Sequence, residues 1–211
     1  MSQQADAKSP GSPDWQAFMT NPAGYTDAVR LVACFDGAIS EATCERMLRS
    51  QRLHQRLSAL LFDHYGLASA ISREPVEKVD RAIVLLSSEE LEELVLRSGA
   101  IYWAGRIAAV IDGREAAALQ AALGADLCAF AVASRDLAGP MQSFEAAEDI
   151  HERVYADGLC CLSAWCQTMP DETAMRVRLK LMPHDIIDGA AVSPFDEVGP
   201  AIVRRAMDYT Q

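Results

Sequence analysis

Three cysteines in the last third of the chain, Cys160, Cys161 and Cys166, have the type and spacing that most invite metal or redox chemistry. Zinc sites usually take thiolates in close pairs on turns, with a second pair or histidine partners elsewhere. Here the cysteines lie inside a helical pattern, where adjacent side chains diverge by about 100°, and the sequence has no second pair. We therefore expect small buried thiols. A cysteine-based redox or metal sensor stays an open alternative.

The four histidines do not form a catalytic pattern. His54 and His64 fall within one predicted helix, and His151 and His184 are isolated in the sequence. The sequence contains no His-Glu-x-x-His motif, no Gly-x-Ser-x-Gly motif and no glycine-rich phosphate loop. It therefore predicts no enzyme, no cofactor and no metal site.

A local group of arginines stands out against the charge of the whole chain. Arg46, Arg49, Arg52 and Arg56 are spaced three, three and four residues apart, and residues at these spacings are neighbours on a helix surface. The chain has 19 Lys and Arg against 30 Asp and Glu, for a net charge of −11. We expect this arginine stripe to bind an acidic protein partner. The alternative is a solvated face paired with carboxylates of the same chain.

The overall charge disfavours two other classes of partner. Affinity for nucleic acid and for anionic lipid depends largely on Lys and Arg neutralising negative charge. A chain of net charge −11 is therefore expected to bind no nucleic acid and to insert into no membrane. Protein partners are the class that remains.

The cellular location is predicted from the absence of export signals. Residues 1–13 are polar, small and proline-containing, unlike a signal peptide. The longest apolar stretch, residues 99–111, is interrupted by Arg106 and is too short to cross a bilayer. We expect a cytosolic protein whose six cysteines are reduced.

The elements that must position these residues are helices. Hydrophobic residues make up 50% of the chain and aromatic residues 7%, a composition that favours a packed helical core. We predict a mainly α multi-helix globular bundle with little or no β structure, which can be divided into two lobes. The divisions are a disordered tail at 1–13, an N-terminal helical lobe at 14–86 and a C-terminal helical lobe with the main apolar core at 87–211.

Apolar spacing and cap residues predict the individual helices. The clearest start is the capping-box sequence Ser87-Ser-Glu-Glu90. Residues 99–133 should be the centre of the core, because a helix without a polar face is a buried one. The predicted helices cover residues 41–65, 88–112, 115–123, 126–133, 144–168 and 200–209.

One segment gives two conflicting signals. In residues 175–182, apolar and basic residues alternate as in a half-buried strand. Asp171 and Glu172 nevertheless suit the start of a helix, and the segment is rich in strong helix formers. We favour a helix and keep the strand as the alternative.

Three segments, in this order, resemble the SctK (YscK-like) family of type III secretion sorting-platform accessory proteins. They are Asn-Pro-Ala-Gly-Tyr at 21–25, the alanine-rich stretch around Leu-Gly at 119–132, and Arg-Leu-Lys-Leu-Met-Pro at 178–183. The resemblance spans most of residues 15–183.

This resemblance implies a non-enzymatic cytoplasmic adaptor, peripheral to the inner membrane through a protein complex. Its implied partners are the pod (SctQ-like) protein and the cytosolic domain of the inner-membrane ring (SctD-like) protein. An unrelated helical interaction module or chaperone would share the same composition and stays the alternative.

Overall fold

The computed structural model of the chain describes residues 13–67, 76–141, 150–191 and 193–209. Within these ranges the regular secondary structure consists of helices, and no strand occurs. The prediction of a mainly α chain is therefore confirmed. The tail predicted at 1–13 lies outside the described residues except for Pro13, which begins the first helix.

Most of the helices are short, and single turns of 3₁₀-helix at Pro22–Gly24, Gln51–Leu53 and Arg135–Leu137 connect some of them. In chain order, the α-helices of the described residues are α1 (Pro13–Thr20), α2 (Ala28–Ala33), α3 (Glu41–Leu48), α4 (His54–His64), α5 (Lys78–Val84), α6 (Ser88–Tyr102), α7 (Ala104–Ala108), α8 (Gly113–Leu123), α9 (Ala125–Ala133), α10 (Ile150–Gln167), α11 (Asp171–Arg178), α12 (Asp185–Asp188) and α13 (Phe195–Ala206).

The helices belong to two compact units. The first unit contains the chain up to Glu89 together with Met169–His184, and the second contains Glu90–Thr168 and the chain from Asp185 onward. The sequence division into 14–86 and 87–211 left residues 169–184 with the C-terminal lobe. The structure groups them with the first unit, where buried hydrogen bonds from α11 and the turn after it hold the segment.

The first unit corrects the prediction of one long helix over residues 41–65. The helix ends at Leu48, Ser50 is extended, and α4 begins at His54. The imidazole Nε2 of His54 lies 2.6 Å from the Leu48 carbonyl oxygen and caps the end of α3. Apolar spacing continues across the break because both helices bury residues, such as Cys44 and Leu61, in the same core cluster.

The helix predicted over residues 88–112 is also interrupted. It starts at Ser88 as predicted and ends at Tyr102, whose carbonyl oxygen accepts a hydrogen bond from the Gly139 amide instead of from its own helix. Asp112 and Gly113 then begin α8, because the Asp112 carboxylate caps the amides of Arg114 and Glu115.

The expectation that residues 99–133 form the centre of the core is wrong for the stretch from Ala108 to Gly113, although α8 and α9 bury residues such as Leu119 and Ala131. The stretch 99–104 is buried, but Ala108 and Ala109 are exposed and Ile111 is 97% exposed. The chain is leaving a helix at this point, so its apolar side chains have no neighbouring helix to cover them.

Two predictions near the C-terminus have mixed outcomes. The segment 175–182 is helical up to Arg178 and then turns, so the strand alternative is wrong. The last helix begins at Phe195 and carries Pro200 in its interior, although we expected Pro200 to start it. The Phe195 ring stacks on Tyr102 at 4.5 Å and anchors this early start. The start predicted at residue 144 lies outside the described residues.

Helices of the second unit approach closely at glycines. A Cβ on Gly158 of α10 would lie 2.0 Å from the Val95 carbonyl oxygen of α6, and a Cβ on Gly99 would lie 1.8 Å from the Val154 carbonyl oxygen. Backbone therefore meets backbone where α6 crosses α10. Gly99 lies in the middle of the helix predicted over residues 88–112, and the structure shows that it permits close packing.

No single described helix has both the length and the apolar composition needed to cross a bilayer. The α8 and α9 helices meet the length and composition requirement only when taken together, and they bend by 102° at Gly124.

Candidate functional site

A chain of hydrogen bonds ties the Asn-Pro-Ala-Gly-Tyr segment to α4. The Ala23 amide donates to Ser58 Oγ at 3.3 Å, and Ser58 Oγ donates to Asn21 Oδ1 at 3.1 Å. Asn21 Nδ2 lies 3.4 Å from His54 Nδ1. His54 satisfies both contacts when it accepts at Nδ1 and donates at Nε2 to the end of α3. One asparagine side chain thus fixes the loop before α2 on the face of α4.

Tyr25, the last residue of that segment, joins it to the Arg-Leu-Lys-Leu segment. Its hydroxyl donates to the Phe18 carbonyl oxygen at 2.8 Å, and its ring stacks on Phe18 at 5.3 Å. The Lys180 ammonium lies 5.2 Å from the Phe18 ring centre and 5.3 Å from that of Tyr25. Burial raises the pKa of the Tyr25 phenol, and the positive charge of Arg176 opposes that rise. The tyrosine therefore stays neutral beneath a buried cation.

Residues Met169–His184, which we call the returning segment, belong to the first unit. Two buried cations of this segment act as caps for other helices. Lys180 Nζ donates to the Val84 carbonyl oxygen at 2.7 Å and also to that of Leu86, both at the end of α5. Arg176 is fully buried and donates from Nε and Nη2 to the Met19 carbonyl oxygen near the end of α1, at 3.3 and 3.2 Å. The last carbonyls of a helix lack partners within it. Arg176 and Lys180 donate hydrogen bonds to these carbonyl oxygens.

A third buried cation completes the link between the N-terminal part of the unit and the returning segment. Arg30 of α2 donates from Nε to the Leu181 carbonyl oxygen at 2.9 Å, and the Asp27 amide donates to the Leu179 carbonyl oxygen at 2.8 Å. The first and last of the three resemblance segments therefore meet in the interior of one unit.

The arginine stripe lies on the outside of the same unit. Arg46, Arg49, Arg52 and Arg56 are all exposed, but the break at Ser50 distributes them over α3, the 3₁₀ turn and α4. The single helix face predicted from their spacing is therefore wrong. Arg49 pairs with Glu45 at 2.8 Å, and Arg46 donates to Thr43 Oγ1 at 3.1 Å. Within the part of the chain that the structure describes, Arg52 and Arg56 have no hydrogen-bond or ion-pair partner.

Two grooves flank the Asn-Pro-Ala-Gly-Tyr segment. The first, which we call the α4 groove, has a volume of about 440 Å³, and the residues that line it include Asn21, His54, Gln55, Ser58, Ala59 and Phe62. The second has a volume of about 340 Å³ and lies between the stretch from Ala23 to Ala28 and α3, where Glu45 and Arg49 contribute to its wall. Exposed arginines of the stripe thus occur at or next to both grooves.

The three cysteines Cys160, Cys161 and Cys166 belong to α10 and are largely buried. Cys161 and Cys166 are buried, and Cys160 is half-buried. Burial raises the pKa of the Cys160 thiol to about 11, and the nearby Asp157 carboxylate adds to the rise. Burial also raises the pKa of Cys161 well above its usual value. In the described ranges, no group of three or more His, Cys, Asp or Glu side chains is placed to hold a metal ion.

The second unit has its own surface groove, of about 410 Å³, between α7, α8 and α9. Ile107, Leu119 and Cys128 contribute to its apolar wall. Six residues of the middle resemblance segment, residues 119–132, line this groove. Since the polar groups near it are few, this groove has the character of a packing surface more than of a chemical site.

Sequence reasoning found the stripe and missed the grooves and the buried cations. The alternation in residues 175–182 was the available signal, since it placed Arg176, Arg178 and Lys180 at regular intervals among apolar residues. A basic residue is read as solvent-facing by default because buried charges are rare. The carbonyl groups at the ends of α1 and α5 explain why Arg176 and Lys180 are buried, and their positions are known only from the structure.

Comparisons with known proteins identify the family of this chain. The family model for YOP proteins translocation protein K (YscK) matches residues 14–205. Nodulation protein NolU of Rhizobium fredii is 28% identical over 159 residues, which cover 75% of this chain and 71% of that protein, and NolU of Sinorhizobium fredii matches equally well. No solved structure matches the chain significantly. The resemblance to the SctK (YscK-like) family is therefore confirmed: the chain belongs to the YscK family, whose members are components of type III secretion systems.

Proposed function

We propose that this protein is a non-enzymatic cytoplasmic adaptor of a type III secretion system, linking the inner-membrane ring to the sorting-platform pods. The observation that carries the proposal is the match of the YscK family model to residues 14–205, which is nearly the whole chain. The partners would be the pod (SctQ-like) protein and the cytosolic domain of the ring (SctD-like) protein. The protein would be held at the inner membrane through these contacts.

The arginine stripe is the surface that we propose for one of these contacts. Arg46, Arg49, Arg52 and Arg56 give this part of the surface a local positive charge in a chain of net charge −11. Such a contrast favours a partner with a complementary acidic patch and raises the rate of association at low salt. The three-dimensional surface, and not a shared helix face, is what would present the four guanidinium groups.

The first test is direct binding of purified full-length protein to the pod protein and to the ring cytosolic domain, each measured by isothermal titration calorimetry. We expect a Kd of about 1 μM or lower for at least one of them, as for specific protein complexes of standard size. Co-expression followed by a reciprocal pull-down repeats the test under cellular conditions. No binding to either protein in both formats would overturn the adaptor proposal.

The second test concerns the stripe alone. Replacing Arg49 and Arg52 by glutamate should weaken one of the two interactions, and the loss should grow as salt is lowered, because the substituted charges then repel the partner. The control exchanges Arg114 and Arg135, two exposed arginines of the second unit, for glutamate, which changes the net charge equally. Equal affinities of the two double variants would reject the stripe and leave the adaptor role standing.

A further inference from the structure

The α4 groove combines an apolar floor with polar walls. Ala59 and Phe62 supply apolar surface on α4, while Asn21, His54 and Ser58 form the hydrogen-bonded wall described above. Gln55 and Ala59 are exposed at its edge. A volume of about 440 Å³ accommodates one large apolar side chain and the backbone next to it. The shape therefore suits an extended segment of another protein.

Two exposed arginines without partners lie three residues before residues that line this groove, although neither belongs to its wall. Arg52 precedes Gln55 by three residues and Arg56 precedes Ala59 by three, and residues three apart are neighbours on a helical surface. Neither guanidinium has a hydrogen-bond or ion-pair partner among the described residues. From residue 46 to residue 62 the sequence has four arginines and no Asp or Glu. The surface next to the groove on α4 and the preceding turn thus carries two positive charges that no described side chain pairs.

The two guanidinium groups also define the chemistry that they bind. Planar guanidinium groups pair with carboxylates through two parallel hydrogen bonds, which gives both attraction and a fixed orientation. Nucleic acid and anionic membrane would also bring negative charge, but the net charge of −11 repels such extended polyanions over most of the protein surface. A short acidic segment meets only this local positive surface.

We infer that Arg52, Arg56 and the α4 groove together bind an acidic segment of a partner protein. One large apolar side chain of that segment, flanked by carboxylates of the same segment, occupies the groove. This inference rests on the proposed adaptor function and adds the chemistry of the segment that is recognised. The arginines contribute orientation and rate of association, and the groove contributes the desolvated anchor that holds the segment in place.

The experiment uses the full-length protein and overlapping fluorescein-labelled peptides that cover the pod protein and the ring cytosolic domain, with binding followed by fluorescence anisotropy. The peptides that bind should carry net negative charge and a large apolar residue. Replacing that residue by alanine should weaken binding about tenfold, a typical effect of removing an anchor. Binding confined to neutral or basic peptides would overturn the inference.

Two matched variants separate the groove from the general charge. Arg52→Glu with Arg56→Glu should weaken peptide binding at least about tenfold, whereas Arg46→Glu with Arg49→Glu, which makes the same change of net charge away from α4, should weaken it much less. Equal losses in both double variants would show that only net charge matters and would overturn the inference.

A third variant tests the groove without changing charge. Ala59→Leu fills the exposed edge with a good helix former and should weaken binding of the acidic peptide about tenfold by occlusion. Ala117→Leu, at an exposed alanine of α8, is the control and should bind like the wild type. Unchanged binding by Ala59→Leu would overturn the inference. If the whole partner proteins still bind, the adaptor proposal survives that result; if they do not bind at all, the adaptor proposal itself fails.

Discussion

The two units of this protein build their interiors from different materials. The four charged side chains that are buried among the described residues, Arg30, Asp80, Arg176 and Lys180, all belong to the first unit. The buried polar residues in the described part of the second unit are serines, and its helices approach backbone to backbone at glycines such as Gly158. Buried cations that cap helix ends add to the apolar core of the first unit, and close backbone contacts add to that of the second.

The two longest described helices belong to the second unit, which also contains short ones such as α7 and α12. The first unit consists of α-helices of no more than 11 residues among the described elements, whereas α6 and α10 of the second unit have 15 and 18 residues. Every helix leaves about four carbonyl groups without partners at its C-terminal end, so short helices expose more of them per residue. Buried donors such as Arg176 and Lys180 satisfy some of these groups. Long helices need fewer donors and can use small residues for close contact.

The largest expected effect tests the close packing of the second unit. Gly158→Ala would place a Cβ 2.0 Å from the Val95 carbonyl oxygen, so two backbones must separate, at a cost of about 3 kcal/mol or more. Urea unfolding followed by circular dichroism measures the change. Gly113→Ala is the control, because its Cβ would meet nothing within 4 Å. This exchange should raise the free energy of unfolding by about 0.4 to 1 kcal/mol. Similar stabilities of the two variants would contradict the close-packing account.

The next effect tests the buried cations of the first unit. Lys180→Met keeps the length of the side chain but leaves the Val84 and Leu86 carbonyl oxygens without their donor, which should reduce the free energy of unfolding by about 2 kcal/mol. The same exchange at exposed Lys78 should change it by less than about 0.5 kcal/mol. If Lys180→Met is as stable as the wild type, the ammonium is not needed as a helix cap.

These two expectations differ in how visible they were in the sequence. Gly99 and Gly158 fall inside two helices that the sequence predicts, over residues 88–112 and 144–168. The role of Lys180 was not visible, because its carbonyl partners on α5 lie 96 and 94 residues away in the chain. The stripe was visible by spacing, but the groove beside it was not, since Asn21 and Ser58 come together only in three dimensions.

A smaller effect is expected from the hydrogen-bond chain at the groove wall. Asn21→Ala removes the acceptor of Ser58 and the partner of His54, and it should lower the free energy of unfolding by about 1 to 2 kcal/mol. Gln120→Ala, at an exposed residue of α8, is the control, with an expected change of less than about 0.5 kcal/mol. Thermal unfolding measures both. A loss no larger than that of the control would mean that water replaces the asparagine without cost.

The smallest effect on stability is expected for the arginines that we propose as a binding surface. Arg52→Glu with Arg56→Glu should change the free energy of unfolding by no more than about 0.5 kcal/mol, since both side chains are exposed and surface substitutions are usually this mild. The same variant should lose binding, as set out above. Unfolding of this double variant under native conditions, seen by circular dichroism, would instead assign the arginines a structural role.

The sequence by itself determined the helical class, the start of α6 at Ser88, the end of α8 before Gly124, and the family to which the chain belongs. Helix formation and capping depend on neighbours within a few residues, so local patterns carry that information. Only the tertiary structure decided that helices break at Ser50 and Trp103 and that residues 169–184 return to the first unit. The break at Trp103 and the return of residues 169–184 depend on donors and acceptors far apart in the chain, such as the Gly139 amide with the Tyr102 carbonyl oxygen, and Arg176 with the Met19 carbonyl oxygen, 157 residues away. No local pattern encodes such a pairing.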